Sequence, residues 1–325
     1  MKLKVLIIDD MHESIIPMFK ERGIEVTYLP KITRSEIMNL IPEYQGIVVR
    51  SKTEIDEALI NQAAKLKFIA RAGAGLEKMD VSLLEKRNIA WVNAPEGNRD
   101  SLGEHAVGVL LSLLHRLHTA DRQIREKVWD REGNRGMELK GKTVGIFGYG
   151  FMGSAFAEKL TGFGCKVIAY DKYKSGFGNS KVEECSLEDL FRETQILSIH
   201  IPLTEETKDL FDIPFLKKFE KLKLLLNTAR GKVISNATLV DLLKEGSLYG
   251  VGLDVLENEK IHEMSLEEQE DFKYLTQSPQ VLLTPHVGGW SHESYQRINE
   301  VIIQKLESLN LIHKAGGNQK HLSLS

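Results

Sequence analysis

Two successive series of short β-branched runs, separated by amphipathic stretches, occupy most of the chain. Strands that alternate with helices of this length are typical of parallel sheets with helices on both faces. Several later runs are apolar throughout, as expected for strands covered on both sides. The candidate strands are 4–9, 25–29, 46–49, 67–71 and 90–93 in the first series and 143–148, 166–171, 196–201, 224–228, 249–255 and 281–285 in the second. We therefore predict an α/β fold with two parallel sheets.

Two further stretches are predicted to be helical. Residues 101–124, between the two series, are too densely apolar for a surface helix, so we expect a helix buried between layers or at an interface. An amphipathic helix is predicted over 293–312, after the last strand. We expect this helix to return to the first domain, which would make that domain discontinuous. The tail 315–325 is expected to be frayed.

Length and composition exclude several classes of protein. A chain of 325 residues exceeds one ordinary core, which agrees with two domains. A net charge of -3 gives no sign of a nucleic-acid-binding surface, and no apolar run is long enough for a membrane helix. The N-terminal apolar run ends in two aspartates, unlike a signal peptide. Cys165 and Cys185 are too few for a disulfide framework, so we expect a cytoplasmic chain with reduced thiols.

A glycine-rich turn follows the first strand of the second series. Gly148, Gly150 and Gly153 are spaced as G-x-G-x-x-G and open a predicted helix. Such glycines allow a tight turn, a close approach of the backbone to a pyrophosphate, and close packing of helix on strand. The helix N-terminus would then face the phosphates. By itself this spacing is also compatible with an ordinary strand–helix turn.

The next strand supports a dinucleotide site, since it ends in Asp171, eighteen residues after Gly153. A carboxylate there accepts hydrogen bonds from ribose hydroxyls and repels a 2′-phosphate, which favours NAD over NADP. Lys172 and Lys174 weaken that preference.

Three groups suited to acid–base chemistry follow late strands of the second series: Arg230, Glu259 and His286. In a doubly wound sheet, the carboxyl ends of the strands face the ligand crevice. His286 is the best general acid or base, because the unperturbed pKa of histidine lies near neutrality. Glu259 could fix the tautomer of His286, and the planar fork of Arg230 matches a carboxylate. Each residue also has a purely structural interpretation. Arg230 could be an ordinary surface residue, and Glu259 could belong, with Glu257, to a solvated acidic loop. His286 could cap the next helix. Spacing alone does not select these three.

The chain resembles the D-isomer-specific 2-hydroxyacid dehydrogenase family over nearly its whole length, and most closely its D-3-phosphoglycerate dehydrogenase branch. Because the matching segments are many and occur in order, the resemblance is specific. These segments are VRSKT (49–53), RAGAGLEKMD (71–80), VNAPEGN (92–98), the glycine turn with the preceding ELKGKTVGIF, HIPLTEET (200–207), NTARG (227–231), LDVLENE (253–259) and TPHVGG (284–289).

The resemblance implies a flavodoxin-like substrate domain, 1–97 with 291–325, and a Rossmann-like NAD-binding domain, 98–290, with the active site in the cleft between them. It implies catalytic roles for Arg230, Glu259 and His286, and no metal. The NAD-binding residues implied are Gly148, Gly150, Phe151, Met152, Gly153, Asp171, His200, Pro202, Thr207, Thr228, Ala229, Asp254 and Gly288. The substrate-binding residues implied are Arg50, Ser51, Gly73, Ala74, Asn98 and Arg230.

The activity implied is hydride transfer between NAD and C2 of a small D-2-hydroxy acid. The R-S-x-T segment around Arg50 favours 3-phosphoglycerate, since Arg50 and Lys52 could neutralise a phosphate. Reduction of hydroxypyruvate or glyoxylate remains an alternative, as does a non-catalytic NAD-sensing protein. The segment after the returning helix is short, so we do not expect the regulatory domain that some phosphoglycerate dehydrogenases carry.

The sequence departs from the family at Gly103, Lys260 and Trp290, and the last two could reshape the rim of the cleft. A homodimer is expected, with the apolar helix from Leu102 to Leu117 as its interface. His115 and His118 have helical spacing, but no further ligands complete a metal site.

Overall fold

A computed structural model describes residues 2–314, so the predicted frayed tail, 315–325, lies outside the described residues. The chain divides into two compact units. One contains the residues up to Asn98 and those from Ser291 onward, and the other is Arg99–Trp290. Each unit is built on its own parallel sheet.

The first unit contains a five-stranded parallel sheet in the order β2-β1-β3-β4-β5. Its strands are β1 (Lys4–Ile7), β2 (Glu25–Tyr28), β3 (Gly46–Val49), β4 (Phe68–Arg71) and β5 (Ala90–Asn93). Its first four helices are α1 (Ile15–Lys20), α2 (Arg34–Leu40), α3 (Glu57–Gln62) and α4 (Val81–Lys86), with a 3₁₀ turn at Ile41–Glu43. All five strands predicted in this part of the sequence are confirmed, with ends that shift by two residues at most.

The second unit contains a seven-stranded parallel sheet in the order β12-β11-β10-β9-β6-β7-β8. Its strands are β6 (Thr143–Phe147), β7 (Lys166–Tyr170), β8 (Glu183–Glu184), β9 (Ile196–Ile199), β10 (Leu224–Asn227), β11 (Gly250–Leu253) and β12 (Val281–Leu283). Helix α5 (Pro95–Leu114) begins in the first unit and continues into the second from Arg99. The other helices of the second unit are α6 (Leu117–Arg125), α7 (Phe151–Lys159), α8 (Leu187–Glu193), α9 (Ile213–Leu216), α10 (Asn236–Lys244) and α11 (Leu266–Gln277), with 3₁₀ turns at Gly231–Val233 and Ile261–Glu263. The order reverses at β6, and ligands of doubly wound sheets bind at such a point. The six predicted strands are present; the two-residue β8 was not predicted.

The single helix predicted over 101–124 is wrong, because Arg116 adopts a left-handed conformation with φ of 53° and separates α5 from α6. Helix α5 is buried against the sheet. A Cβ at Gly252 of β11 would lie 2.4 Å from Val109, so helix and strand are in direct contact. Helix α6, in contrast, leaves Leu117 and Ile124 more than half exposed.

The C-terminal helix α12 (His292–Ser308) packs on the first sheet. Its buried residues join Val5 and Phe68 in one core; they are Ile298, Ile302, Ile303 and Leu306. Lys305 also donates to the Glu96 carboxylate at 2.8 Å. The helix ends at Ser308, four residues before the predicted end.

No helix in residues 2–314 is both long and apolar enough to cross a bilayer.

Substitution Ile302→Ala should destabilise the first unit, because Ile302 is fully buried under its sheet. The expected loss is about 2–5 kcal/mol, the usual range for removing a buried aliphatic side chain. Urea unfolding followed by circular dichroism measures it. The exposed neighbour Gln304 provides the control, since Gln304→Ala should leave the midpoint nearly unchanged. Equal midpoints for the two variants would contradict the packing described.

Candidate cofactor and catalytic site

The glycine turn leaves space only at its middle glycine. At Gly148, where φ is 97°, a Cβ would lie 2.6 Å from the His200 carbonyl oxygen. At Gly153 a Cβ would lie 2.1 Å from the Gly148 carbonyl oxygen. A Cβ at Gly150 would meet nothing within 4 Å. The first and third glycines are therefore required by packing, while the second faces open space that a pyrophosphate could occupy.

Helix α7 begins at this open space. Its N-cap residue is Gly150, so no side chain caps the first turn of the helix. Ser186 and Ser235, in contrast, cap α8 and α10 through their hydroxyls. Phe151 and Met152 form the first turn of α7. The backbone N–H groups of an uncapped first turn, together with the helix dipole, favour an anion there. The turn thus fits a bound phosphate.

Asp171, which follows β7, links the glycine turn to its own loop. Its Oδ2 accepts from the Tyr149 backbone N–H at 2.8 Å. Its Oδ1 accepts from the backbone N–H groups of Tyr173 and Lys174, at 2.9 and 3.0 Å. Each carboxylate oxygen can accept about two hydrogen bonds, so Oδ2 keeps capacity for a ribose hydroxyl.

His200 follows β9 and is buried beneath the turn. Its Nε2 lies 2.8 Å from the Ser198 hydroxyl, and its Nδ1 is buried without a partner. Burial lowers the pKa of His200 to about 3, so the ring is neutral at physiological pH. The Thr228 hydroxyl is likewise buried without a partner. Buried polar atoms are rarely left unpaired, so these two are candidates for ligand contact.

The loop after His200 is held by its own threonine. The Thr207 hydroxyl donates to the Pro202 carbonyl at 2.7 Å and accepts from the Thr204 backbone N–H at 2.8 Å. Thr207 was predicted to line a cofactor. In the structure its hydroxyl makes hydrogen bonds within its own loop and so shapes that loop.

Arg230 lies in the loop after β10, and Asn227 sets the shape of this loop. The Asn227 amide donates to the Arg230 carbonyl at 2.9 Å and accepts from the Ala229 N–H at 3.0 Å. A Cβ at Gly231 would lie 1.8 Å from the Leu256 carbonyl oxygen. Gly231 thus lets the loops after β10 and β11 come into direct contact. Arg230 lies near enough to His286 for its positive charge to lower the pKa of that histidine.

Glu259 and His286 form a hydrogen-bonded pair, with 2.8 Å between the carboxylate Oε1 and the ring Nδ1. Both side chains are about half exposed. The hydrogen bond to Glu259 raises the pKa of His286, together with the charges of Glu259 and Asp254, although burial and the positive charge of Arg230 oppose this. Since Nδ1 is engaged, Nε2 is the nitrogen that can exchange a proton with a ligand.

The acidic loop contains a second candidate partner, Glu257, but its carboxylate is used elsewhere. Its Oε2 accepts from the backbone N–H of Asn236 at 3.0 Å, at the start of α10. Glu257 therefore tethers the loop, and Glu259 is the residue that contacts His286.

The turn that contains His286 is built on Asp254. The Asp254 carboxylate accepts from the Thr284 hydroxyl at 2.6 Å and from the backbone N–H groups of Val287 and Gly288 at 2.9 and 2.7 Å. The Asp254 carbonyl accepts from the His286 N–H at 2.8 Å. His286 has a left-handed φ of 55°, so these bonds hold it in an uncommon backbone conformation.

Burial alone would raise the pKa of Asp254, but hydrogen bonds from His105, Thr284, Gly288 and Val287 outweigh burial and lower it. The carboxylate therefore remains ionised. Sequence reasoning placed Asp254 near the cofactor. In the structure its carboxylate is directed into the turn of His286.

Sequence reasoning missed His105, on α5. Its Nε2 lies 3.1 Å from the Thr284 hydroxyl and 3.4 Å from Asp254 Oδ1. The only signal was a histidine within an apolar helix, which is also compatible with simple packing. Asn227 and Thr284 were missed as well, although both lie inside the matched motifs NTARG and TPHVGG.

In the first unit, Arg50 follows β3 in an environment that contains both tyrosine and aspartate. Its backbone N–H donates to the Asp9 carboxylate, and its guanidinium carbon lies 5.2 Å from the centre of the Tyr295 ring. Burial lowers the pKa of Arg50, although Tyr295, Asp9 and Asp10 counteract part of this effect. Asp10 accepts from the Tyr295 hydroxyl at 3.1 Å.

Lys52, the second cation proposed for a phosphate, is directed to the backbone. Its ammonium group donates to the carbonyls of Ile32 and Pro30, the latter at 3.2 Å. Ser51 accepts through its carbonyl from Lys78 at 2.6 Å. The structure therefore does not pair Lys52 with Arg50.

The remaining predicted substrate residues lie near the ends of β4 and β5. Gly73, with φ of 139°, accepts from the Ala94 N–H at 2.9 Å. The Ala74 carbonyl accepts from the Asn93 amide at 2.8 Å. Asn98 has a buried amide oxygen without a partner.

Two of the departures from the family lie at exposed positions. Lys260 donates to the Glu263 carboxylate at 2.7 Å, and Trp290 is about half exposed. Among the described residues no group of three or more histidine, cysteine or acidic side chains could hold a metal ion.

Comparison with known proteins places this site in a family. The model of "D-isomer specific 2-hydroxyacid dehydrogenase, NAD binding domain" matches residues 107–288. A D-3-phosphoglycerate dehydrogenase from Mycobacterium tuberculosis is 35% identical over 295 residues, which cover 90% of this chain and 54% of the relative. A hydroxypyruvate reductase from Thermotoga maritima is 33% identical over 275 residues, covering 85% of this chain and 88% of the relative.

The chain spans about half the length of the phosphoglycerate dehydrogenases that it matches. Solved structures agree with the fold. The TT0316 protein from Thermus thermophilus superposes with a TM-score of 0.81 at 26% identity, over 96% of this chain and 99% of that one. D-2-hydroxyisocaproate dehydrogenase superposes with a TM-score of 0.81 at 24% identity, over 95% and 97%. The chain belongs to the D-isomer specific 2-hydroxyacid dehydrogenase family.

Proposed function

We propose that the protein is an NAD-dependent dehydrogenase that transfers a hydride between C2 of a small D-2-hydroxy acid and nicotinamide. The observation that supports it most is the His286–Glu259 pair, joined at 2.8 Å in the same unit as the glycine turn. A histidine supported by a carboxylate is suited to exchange a proton near neutral pH. Family membership and the names of the relatives support the same reaction.

The cofactor proposed is NAD. The glycine turn and the first turn of α7 would hold its pyrophosphate, and Asp171 would accept from a ribose hydroxyl. The unpartnered atoms of His200 and Thr228 are candidate contacts, and Pro202, Ala229, Asp254 and Gly288 complete the proposed set. When bound, the nicotinamide ring supplies or accepts the hydride.

Arg230 is proposed to bind the substrate carboxylate through its planar fork. In the oxidation direction, neutral His286 takes the proton of the C2 hydroxyl at Nε2 as the hydride leaves C2. In the reduction direction, protonated His286 returns that proton to the developing alkoxide. Glu259 stabilises the positive ring in both directions, and Asp254 fixes the backbone that positions it.

For the substrate, we propose 3-phosphoglycerate and its 2-keto product, 3-phosphohydroxypyruvate. The names of several relatives and the R-S-x-T segment support this choice, with Arg50, Ser51, Gly73, Ala74 and Asn98 as further binding residues. Hydroxypyruvate is the second candidate. It is favoured by the engagement of Lys52 with carbonyls and by the aspartates around Arg50, which a phosphate would meet less favourably.

We also propose a homodimer and a cytoplasmic location. The apolar residues of α5 expected at an interface are buried in their own unit, as Leu110 and Leu114 show. Exposed apolar side chains lie instead on α6 and just after it: Leu117, Ile124 and Trp129. Leu117 and Ile124 are seven positions apart on α6 and therefore share one face of the helix, and an exposed apolar face commonly marks an interface. Cell fractionation would test the location; recovery of the protein outside the cytoplasmic fraction would contradict it.

Oxidation of NADH against a panel of keto acids tests the function and the substrate. The panel contains phosphohydroxypyruvate, hydroxypyruvate, glyoxylate, pyruvate and 2-ketoglutarate. We expect kcat/KM to be highest for phosphohydroxypyruvate. A higher value for hydroxypyruvate would make hydroxypyruvate the proposed substrate instead. If no member of the panel supports NADH oxidation, the proposed function is overturned.

The pH dependence of keto-acid reduction should show the titration of His286. Its pKa is raised by Glu259, and the protonated ring is the acid. The rate should therefore be high below this pKa and fall as the pH rises through it, with the opposite trend for oxidation. In Glu259→Gln, the fall in the reduction rate should occur at lower pH than in the wild type. Glu257→Gln removes the same charge from the same loop without touching His286, so the fall should occur at the wild-type pH.

Replacing the acid itself provides a second test of this role. His286→Ala should lower kcat by about 100-fold or more, the usual contribution of a general acid. NADH affinity should change little, because the glycine turn and Asp171 are untouched. Near-normal turnover in this variant would exclude the role of His286.

Light scattering after size exclusion tests the dimer. The expected mass is about twice the 36.7 kDa of the chain. Ile124→Glu places a charge in the exposed apolar surface and should shift the protein towards monomer. A wild-type monomer at micromolar concentration would contradict the proposal.

A further inference from the structure

Two lysines follow Asp171 closely in sequence, at positions where a cation could attract the 2′-phosphate of NADP. The structure shows where each ammonium group lies. Lys174 Nζ is 3.4 Å from the Tyr149 carbonyl oxygen, at the glycine turn. Lys172 Nζ contacts the carboxylate Oε1 of Glu206, in the loop after β9.

Glu206 contacts two successive residues of the loop after β7. While its Oε1 binds Lys172, its Oε2 accepts from the Tyr173 hydroxyl. The Lys172 ammonium also lies 5.6 Å from the centre of the Tyr173 ring. The contact with Glu206 raises the pKa of Lys172, and the contacts with Lys172 and Tyr173 lower the pKa of Glu206, so both groups are charged.

The backbone around Glu206 is ordered by its neighbour. Thr207 donates through its hydroxyl to the Pro202 carbonyl at 2.7 Å, and its N–H donates to the Thr204 carbonyl at 3.2 Å. The position of Glu206 opposite Lys172 is thus defined by a hydrogen-bonded turn. This also explains what the threonine at the end of HIPLTEET does in this chain.

We infer that Glu206 is a specificity-determining residue that holds Lys172 away from the ribose 2′ position and so favours NAD over NADP. The inference rests on the proposed function. With Glu206 present, the charges of Lys172 and Glu206 compensate each other, and the charge of Asp171 repels a 2′-phosphate. Without Glu206, a flexible lysine directly after Asp171 can reach that phosphate.

The size of the effect is limited because the pair is exposed to solvent. Exposed ion pairs are weak, so Lys172 is released at little cost once the carboxylate is removed. By the same measure, a new lysine–phosphate contact at an exposed position strengthens binding by about three- to fivefold. Asp171 remains, so NADP should still bind less tightly than NAD.

The test compares Glu206→Gln with Glu205→Gln. Glu205 is the adjacent residue, is also exposed, and loses the same charge without contacting Lys172. NADH and NADPH affinities are measured by fluorescence titration, independently of turnover, and the ratio of kcat/KM values is measured beside them. Glu206→Gln should bind NADPH about three- to fivefold more tightly, while its NADH affinity should stay at the wild-type value. Glu205→Gln should match the wild type.

A double variant assigns the gain to the lysine. Lys172→Gln combined with Glu206→Gln should bring NADPH affinity back to the wild-type value. A gain that survives in the double variant, an equal gain in Glu205→Gln, or no gain in Glu206→Gln would each overturn the inference. These outcomes leave NADH binding intact, whereas a wild-type protein that binds no NADH would overturn the proposed function instead.

Discussion

The candidate catalytic residues of the second unit depend on the hydrogen bonds of one buried carboxylate, that of Asp254. Its side chain accepts from Thr284, Val287 and Gly288, and its backbone joins Asn227 on one side and His286 on the other. A buried charge is stable only with several such partners. The same bonds that stabilise Asp254 therefore tie together the ends of β10, β11 and β12, which present Arg230, Glu259 and His286.

Much of this architecture could be predicted from local patterns. Most strands are short, apolar and separated by helices, so eleven of the twelve could be recognised in the sequence. The glycine turn was recognisable because glycine is required where a Cβ would meet the His200 or Gly148 backbone. The break at Arg116 was missed because no glycine or proline marks it, and β8 because its two residues are glutamates.

Long-range pairing explains what the sequence could not show. Tyr295 contacts Asp10, which lies 285 positions away in the chain, and His105 lies 179 positions from Thr284. Neither Tyr295 nor His105 has a distinctive neighbourhood in the sequence. Lys172 is a further example of long-range pairing. Its charge suggested affinity for a 2′-phosphate, and only the position of Glu206 in the structure shows how that charge is compensated.

Hydride transfer at C2 of a 2-hydroxy acid is the reaction that we propose for the residues at these strand ends. Transfer from NADH deuterated on both faces of nicotinamide C4 tests it most directly. The protein is incubated with this cofactor and the preferred keto acid, and the product is examined by NMR and mass spectrometry. We expect one deuterium at C2 of the D-hydroxy acid. A reduced product without deuterium at C2, or of the L configuration, would contradict it.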